Sequence, residues 1–135
     1  MKTLAWIGFA LGVCLAHVAR ADTMLAIVIR DGVALRAEAR DTAAPHAVLW
    51  QGESLEVRGR ALDYLQVYDH RIERAGCVRD AQVHIVSLKP EAAPDLLAVV
   101  RFLRGMQGSE SLGIAYTAAY LRAAPANAID AEPFA

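Results

Sequence analysis

Residues 64–83 read YLQVYDHRIERAGCVRDAQV. Leu65 and Val67 alternate with Tyr64, Gln66 and Tyr68, the period-two pattern of a strand that buries one face. A charged stretch with Arg71, Glu73 and Arg74 suits an exposed hairpin tip, and Gly76-Cys77-Val78 follows it. The same region carries His70, Cys77 and, just beyond it, His84, each seven residues from the next. Two readings compete: a reactive site, or one hairpin of a small β-fold.

The reactive reading lacks its supporting parts. A nucleophilic cysteine needs a base within hydrogen-bond reach and a group that orients the base. Asp69, His70 and His84 are near Cys77 in sequence, but no segment resembles the surroundings of a cysteine hydrolase. No helix N-terminus is placed to lower the thiol pKa. Zinc asks for three or four ligands converging on one point, usually with a close pair among them. A spacing of seven along strands and turns gives opposite strand parity, so these side chains need not converge. The expectation is therefore no catalytic residue, no metal and no cofactor. Cys77 reads as a small hydrophobe half-buried between strands, and His46 as a solvated loop residue. The segment RGMQGSES at residues 104–111 lacks the Lys-Ser/Thr of a phosphate-binding loop.

The pattern continues on the N-terminal side. Leu25, Ile27 and Ile29 share one parity, Asp31-Gly32 is a turn pair, and Val33 and Leu35 follow. Residues 42–46, with Pro45, read as loop. Ala47 to Trp50 reads as a short strand ended by Gly52-Glu53. Leu55 and Val57 alternate with Glu56 and Arg58, and Gly59-Arg60-Ala61 breaks the run. Beyond the hairpin, Val83, Ile85 and Leu88 close it. About five or six short strands with frequent breaks suggest a small antiparallel barrel, whose closure removes open edges.

After Lys89-Pro90 the period changes. Leu96, Val99, Val100 and Leu103 follow the i, i+3, i+4, i+7 rule of an amphipathic helix, with Pro94 in its first turn and Gly105 at its stop. Ser109 is the expected N-cap of a second helix, with Glu110 favourable behind it. Leu112, Ala115, Tyr116, Ala119 and Tyr120 make that helix's stripe, and Pro125 ends it. The fragment at Leu112 to Tyr116 resembles the first-helix spacing of a tetratricopeptide repeat, without a second copy. Residues 125–135 show no period: a disordered tail, or the start of a further segment.

The chain opens MKTLAWIGFALGVCLAHVARAD. Lys2 precedes an apolar run from Thr3 to Val18, and Ala19-Arg20-Ala21 sets small residues at the first and third positions of a cleavage site. This is the pattern of a secretory signal peptide cut near Ala21, giving a periplasmic or secreted protein. A membrane anchor would need about 20 apolar residues. Val13 before Cys14 does not suit a lipobox. The whole chain has 14 Lys and Arg against 15 Asp and Glu. Removing the leader takes Lys2 and Arg20 and no acid, leaving 12 against 15, a net charge of −3. That acidic balance argues against nucleic acid, whose binding rests on unopposed cation–phosphate contacts. Cys77 then stands alone, so no internal disulfide forms and packing must supply the stability.

Taken in order, the features resemble bacterial SH3-like (SH3b) domains. Leu35-Arg36 stands for the family's opening strand, Ala43 to His46 for its polar loop, and Gln51-Gly52-Glu53 for its glycine turn. Leu55-Glu56-Val57 stands for its Val-x-Val strand. Tyr64-Leu65-Gln66-Val67 matches the aromatic-x-x-Val element, and Gly76-Cys77-Val78 matches Gly-Trp-Val. The resemblance covers about half the chain and implies a barrel that binds cell-wall peptides or protein partners. Cys77 stands where the family has a tryptophan that helps form the ligand groove. Tyr64, Tyr68 and Trp50 remain as candidate aromatic surface, Trp50 being equally suited to the core.

The expected fold is thus α+β: a leader over 1–21, a small antiparallel SH3-like β-barrel over 22–89 and an αα-hairpin over 90–124. The core of 22–89 should not need the helices. The expected function is that of an exported non-catalytic module for a cell-envelope peptide or protein, with self-association through the hairpin. Two alternatives stand beside it. One is an accessory or N-terminal fragment of a cell-wall enzyme, which the ending EPFA favours. The other is a thiol- or metal-handling periplasmic protein resting on Cys77 and its histidines.

Overall fold

The computed structural model describes residues 23–129; the expected leader over 1–21 lies outside them. Seven strands come first: β1 (Met24–Val28), β2 (Val33–Arg36), β3 (Pro45–Leu49), β4 (Ser54–Ala61), β5 (Tyr64–Asp69), β6 (Arg74–Arg79) and β7 (Val83–Ser87). Two helices follow, α1 (Ala93–Leu103) and α2 (Glu110–Ala123). The strands form one antiparallel sheet in the order β3-β2-β6-β5-β4-β1-β7. The architecture is α+β.

Alternation decides which side chains go inside. On β5, Leu65 and Val67 point inward and are 1% exposed, while Gln66 between them faces out. Ala26, Val28, Val33, Leu35, Leu49, Leu55 and Val78 join them in one cluster, with Val83 of β7. Leu49 comes from one end of the strand order and Val83 from the other. The sheet must therefore bend around this cluster.

The bend does not become a closed barrel. Among the described residues β3 and β7 pair on one side only, which corrects the expectation of closure. β3 has five residues, begins at Pro45, which has no N–H to give, and follows a register shift at Leu35/Arg36. Leu49 is already fully buried. Curvature alone satisfies the core, and the remaining ladder is left unmade.

β1 departs most from simple alternation. Leu25 to Val28 are all buried. Ala26 and Val28 face the inner cluster, whereas Leu25 and Ile27, with Val86 of β7, pack under the helices. Against them sit Ala93, Leu96 and Val100 of α1, and Ala115, Tyr116, Ala119, Tyr120 and Ala123 of α2. Small alanines bring α2 close to the sheet. The centre of each expected stripe is thus consumed by packing on β1 and β7, while Val99, Leu103 and Leu112 stay half-buried at its margin. What points outward is Phe102, Ile114 and Leu121.

Two local expectations change. Ser109 does not cap α2 with its side chain. Its hydroxyl donates to the carbonyls of Leu103 and Met106, at 2.9 and 2.6 Å, and so satisfies the end of α1. Residues 126–128 form a 3₁₀ turn, tied down by the Tyr120 hydroxyl donating to the Ala128 carbonyl at 3.2 Å. The first part of the expected tail is therefore built into the helix layer.

Candidate functional site

The outward face of β5 carries Tyr64, Gln66 and Tyr68, and antiparallel pairing sets Arg79, Cys77 and Ala75 of β6 opposite them. Tyr64 is only 2% exposed. The loop between β2 and β3 folds over it, and its hydroxyl hydrogen-bonds the Asp41 carboxylate. Arg79 locks the arrangement. Its Nε donates to Asp41 Oδ1 at 3.0 Å, its Nη1 reaches Asp63 at 2.6 Å, and its guanidinium lies 5.1 Å from the Tyr64 ring centroid. The tyrosine hydrogen bond, then Arg79, holds the Asp41 carboxyl below its usual range.

Tyr68 is half-buried at the other end of β5. The Arg58 guanidinium sits 4.0 Å from its ring centroid, and His70 meets it edge-on at 4.8 Å. Glu56 holds both neighbours: Arg58 Nε donates to it at 3.1 Å, and His70 Nε2 shares a hydrogen bond with it. These two contacts, His70 first, hold the Glu56 carboxyl low. The result is a mixed-charge patch with one aromatic ring at its centre.

Trp50 is elsewhere. It follows β3 at the sheet edge and is 56% exposed, with Val48 53% exposed two residues before it. Strands β2 and β6 lie between β3 and β5, a lateral gap of about 14 Å at ordinary strand spacing. The structure therefore brings Tyr64 and Tyr68 onto one face and leaves Trp50 in a separate apolar edge patch. Val48 is a member that sequence reading missed. Its signal was parity: His46, Val48 and Trp50 alternate with the inward Ala47 and Leu49.

The histidines and the cysteine are likewise apart. Cys77 is buried, opposite Gln66 and Arg36 in the sheet. Burial, then the charge of Glu38, pushes its thiol pKa up. His70 belongs to the β5–β6 turn, whereas His84 is on β7, four positions from β6 in the strand order. His84 Nδ1 hydrogen-bonds the hydroxyl of Tyr116 and ties the sheet to α2. Among the described residues, no three His, Cys, Asp or Glu side chains gather where they could hold a metal ion.

The chain matches no protein-family model, no curated protein and no solved structure.

Proposed function

We propose that this protein is an exported, non-catalytic SH3-like binding module for a cell-envelope peptide or protein partner. The single observation that carries the reading is the exposure of Trp50 beside Val48 at an edge of a well-packed sheet. A tryptophan left in water costs about 1.5–3 kcal/mol relative to burial, and exposed aromatics of this kind are common anchors at binding surfaces. The ordered strand and turn features from Leu35 to Val83, and the leader-like opening of the chain, support the SH3-like and exported parts.

Trp50 supplies its own probe, because the other tryptophan, Trp6, belongs to the leader. Titrating the chain from Asp22 with purified muropeptides, and pelleting it with intact sacculi, should change Trp50 fluorescence and deplete the supernatant. Trp50→Ala should melt like the parent and stay in solution. Equal sedimentation of parent and variant with sacculi, or none by the parent, refutes the peptidoglycan form of the reading.

Self-association through the helices is the second reading. It is favoured by an open groove of about 540 Å³ between α1 and α2, bordered by Leu103, Met106, Ile114 and Leu121. The occupant would be the same groove of a second copy. Ile114→Asp combined with Leu121→Asp should turn a concentration-dependent dimer into a monomer in sedimentation. A parent that is monomeric at high concentration removes this reading.

A further inference from the structure

The edge at β7 differs in kind from the edge at β3. Leu88 N–H donates to the Thr23 carbonyl at 3.1 Å, and Ile29 N–H to that of Gln82 at 3.2 Å. With the pairing Leu25↔Val86 and Ile27↔His84, these bonds set the phase of the ladder. Even-numbered residues of β7 bond to β1, and odd-numbered ones turn their N–H and C=O away from it. Val83 already gives its N–H to Asp80. Ile85 and Ser87 therefore direct two N–H and two C=O groups to the open side, where no strand pairs among the described residues.

This edge is flanked by a helix. A cleft of about 190 Å³ runs between β7 and the start of α1, lined by His84, Ser87, Asp95, Leu96, Val99 and Tyr116. Its floor is apolar, from Leu96 and Val99. Its rim carries one charge, the exposed carboxylate of Asp95 in the first turn of α1. The hydrogen bond between His84 and Tyr116 fixes the wall opposite α1. An edge strand with unmade ladder bonds beside a helix-lined pocket meets the needs of strand addition. Main-chain bonds give affinity, and alternate side chains enter the pocket.

We infer that the β7 edge takes an extended peptide as an additional strand, with a small apolar side chain in the cleft and a basic side chain against Asp95. This site uses none of the residues of the Trp50 patch, so either can stand without the other.

The test uses ¹⁵N-labelled protein from Asp22 and the synthetic peptide acetyl-Thr-Val-Thr-Lys-Thr-amide, whose valine and lysine share one face of an extended strand. In the free protein the Ile85 and Ser87 amides should exchange faster than those of His84 and Val86. Peptide should shift and protect those two. Methylating the peptide's alternate amide nitrogens should weaken binding roughly tenfold, the cost of two lost hydrogen bonds. Replacing its lysine by glutamate should also weaken it, and Asp95→Asn should narrow that difference. Trp50→Ala should bind this peptide like the parent, which separates a failure here from a failure of the sacculus experiment. The inference is overturned by unmoved Ile85 and Ser87 amides at millimolar peptide, or by equal binding of the methylated peptide. It is also overturned by concentration-dependent protection of those amides without peptide, which would mean that a second copy holds the edge.

Discussion

Gly52 and Ser111 are in backbone contact across the two layers of the molecule. A β-carbon at Gly52 would lie 2.5 Å from the Ser111 carbonyl oxygen and 2.7 Å from its carbonyl carbon. Gly52 also holds φ at +88° and donates its N–H to the Val28 carbonyl at 2.8 Å. The turn before β4 is thus the seat for the first turn of α2, and its lack of a side chain is what lets the helix come so near.

Gly52→Ala should therefore destabilise the fold more than an ordinary glycine replacement. Gly32 is the control: its φ is +77°, and a β-carbon there meets nothing within 4 Å. Gly32→Ala should cost about 1–2 kcal/mol, the strain of a left-handed alanine. Gly52→Ala should cost that and the displacement of α2. Urea unfolding of the two variants checks it, and equal midpoints would mean that the contact with Ser111 carries no weight.

Ending the chain at Lys89 should uncover Leu25, Ile27 and Val86, none of which is more than 7% exposed beneath the helices. Each loses about 1.5–3 kcal/mol of burial, a large share of the stability of a small domain. The shortened chain should bind a hydrophobic dye and self-associate, in contrast to the independence that strand alternation suggested. A monomeric product with a sharp melt and no dye binding would show that the inner cluster suffices.

The Tyr64–Asp41 hydrogen bond should make stability depend on pH at both extremes. The Asp41 carboxyl is held below its ordinary 3.8, so its contribution is complete above that value and disappears as pH falls through the lowered pKa. The Tyr64 hydroxyl is raised above its ordinary 10.0, first by that bond and then by burial. Its contribution is complete below 10.0 and is lost as pH rises through the raised value. Tyr64→Phe should lower the melting temperature at pH 7, with the deficit shrinking toward acid as Asp41 protonates. A deficit constant from neutral pH into strong acid would place the effect in packing instead.

Cys77 should react sluggishly in the folded protein, because its thiol is buried and its pKa is raised. A disulfide reagent at pH 8 should label it at the rate of global or local opening, and much faster in urea. Cys77→Ala should leave any binding unchanged and cost about 1–2 kcal/mol. Rapid labelling of the native protein would reopen a thiol role.

Sequence by itself determined the local choices. Strand or helix, turn or run, is set by neighbours a few residues apart, so Leu65–Val67, Asp31-Gly32 and the stripe of α1 were legible in order. It also showed the aromatic set and the absence of a close ligand pair around Cys77. Tertiary structure alone decided which apolar faces meet. β1 is buried on both sides because a helix layer arrives from residues 93–123, a fact no period within MLAIV encodes. Tyr64 is sealed and Trp50 exposed because a distant aspartate at residue 41 and an arginine at residue 79 close over the one, while β3 ends the sheet at the other. The open edges at β3 and β7 have the same origin. Closure depends on whether curvature has already buried Leu49 and Val83, a property of the whole sheet and of none of its segments.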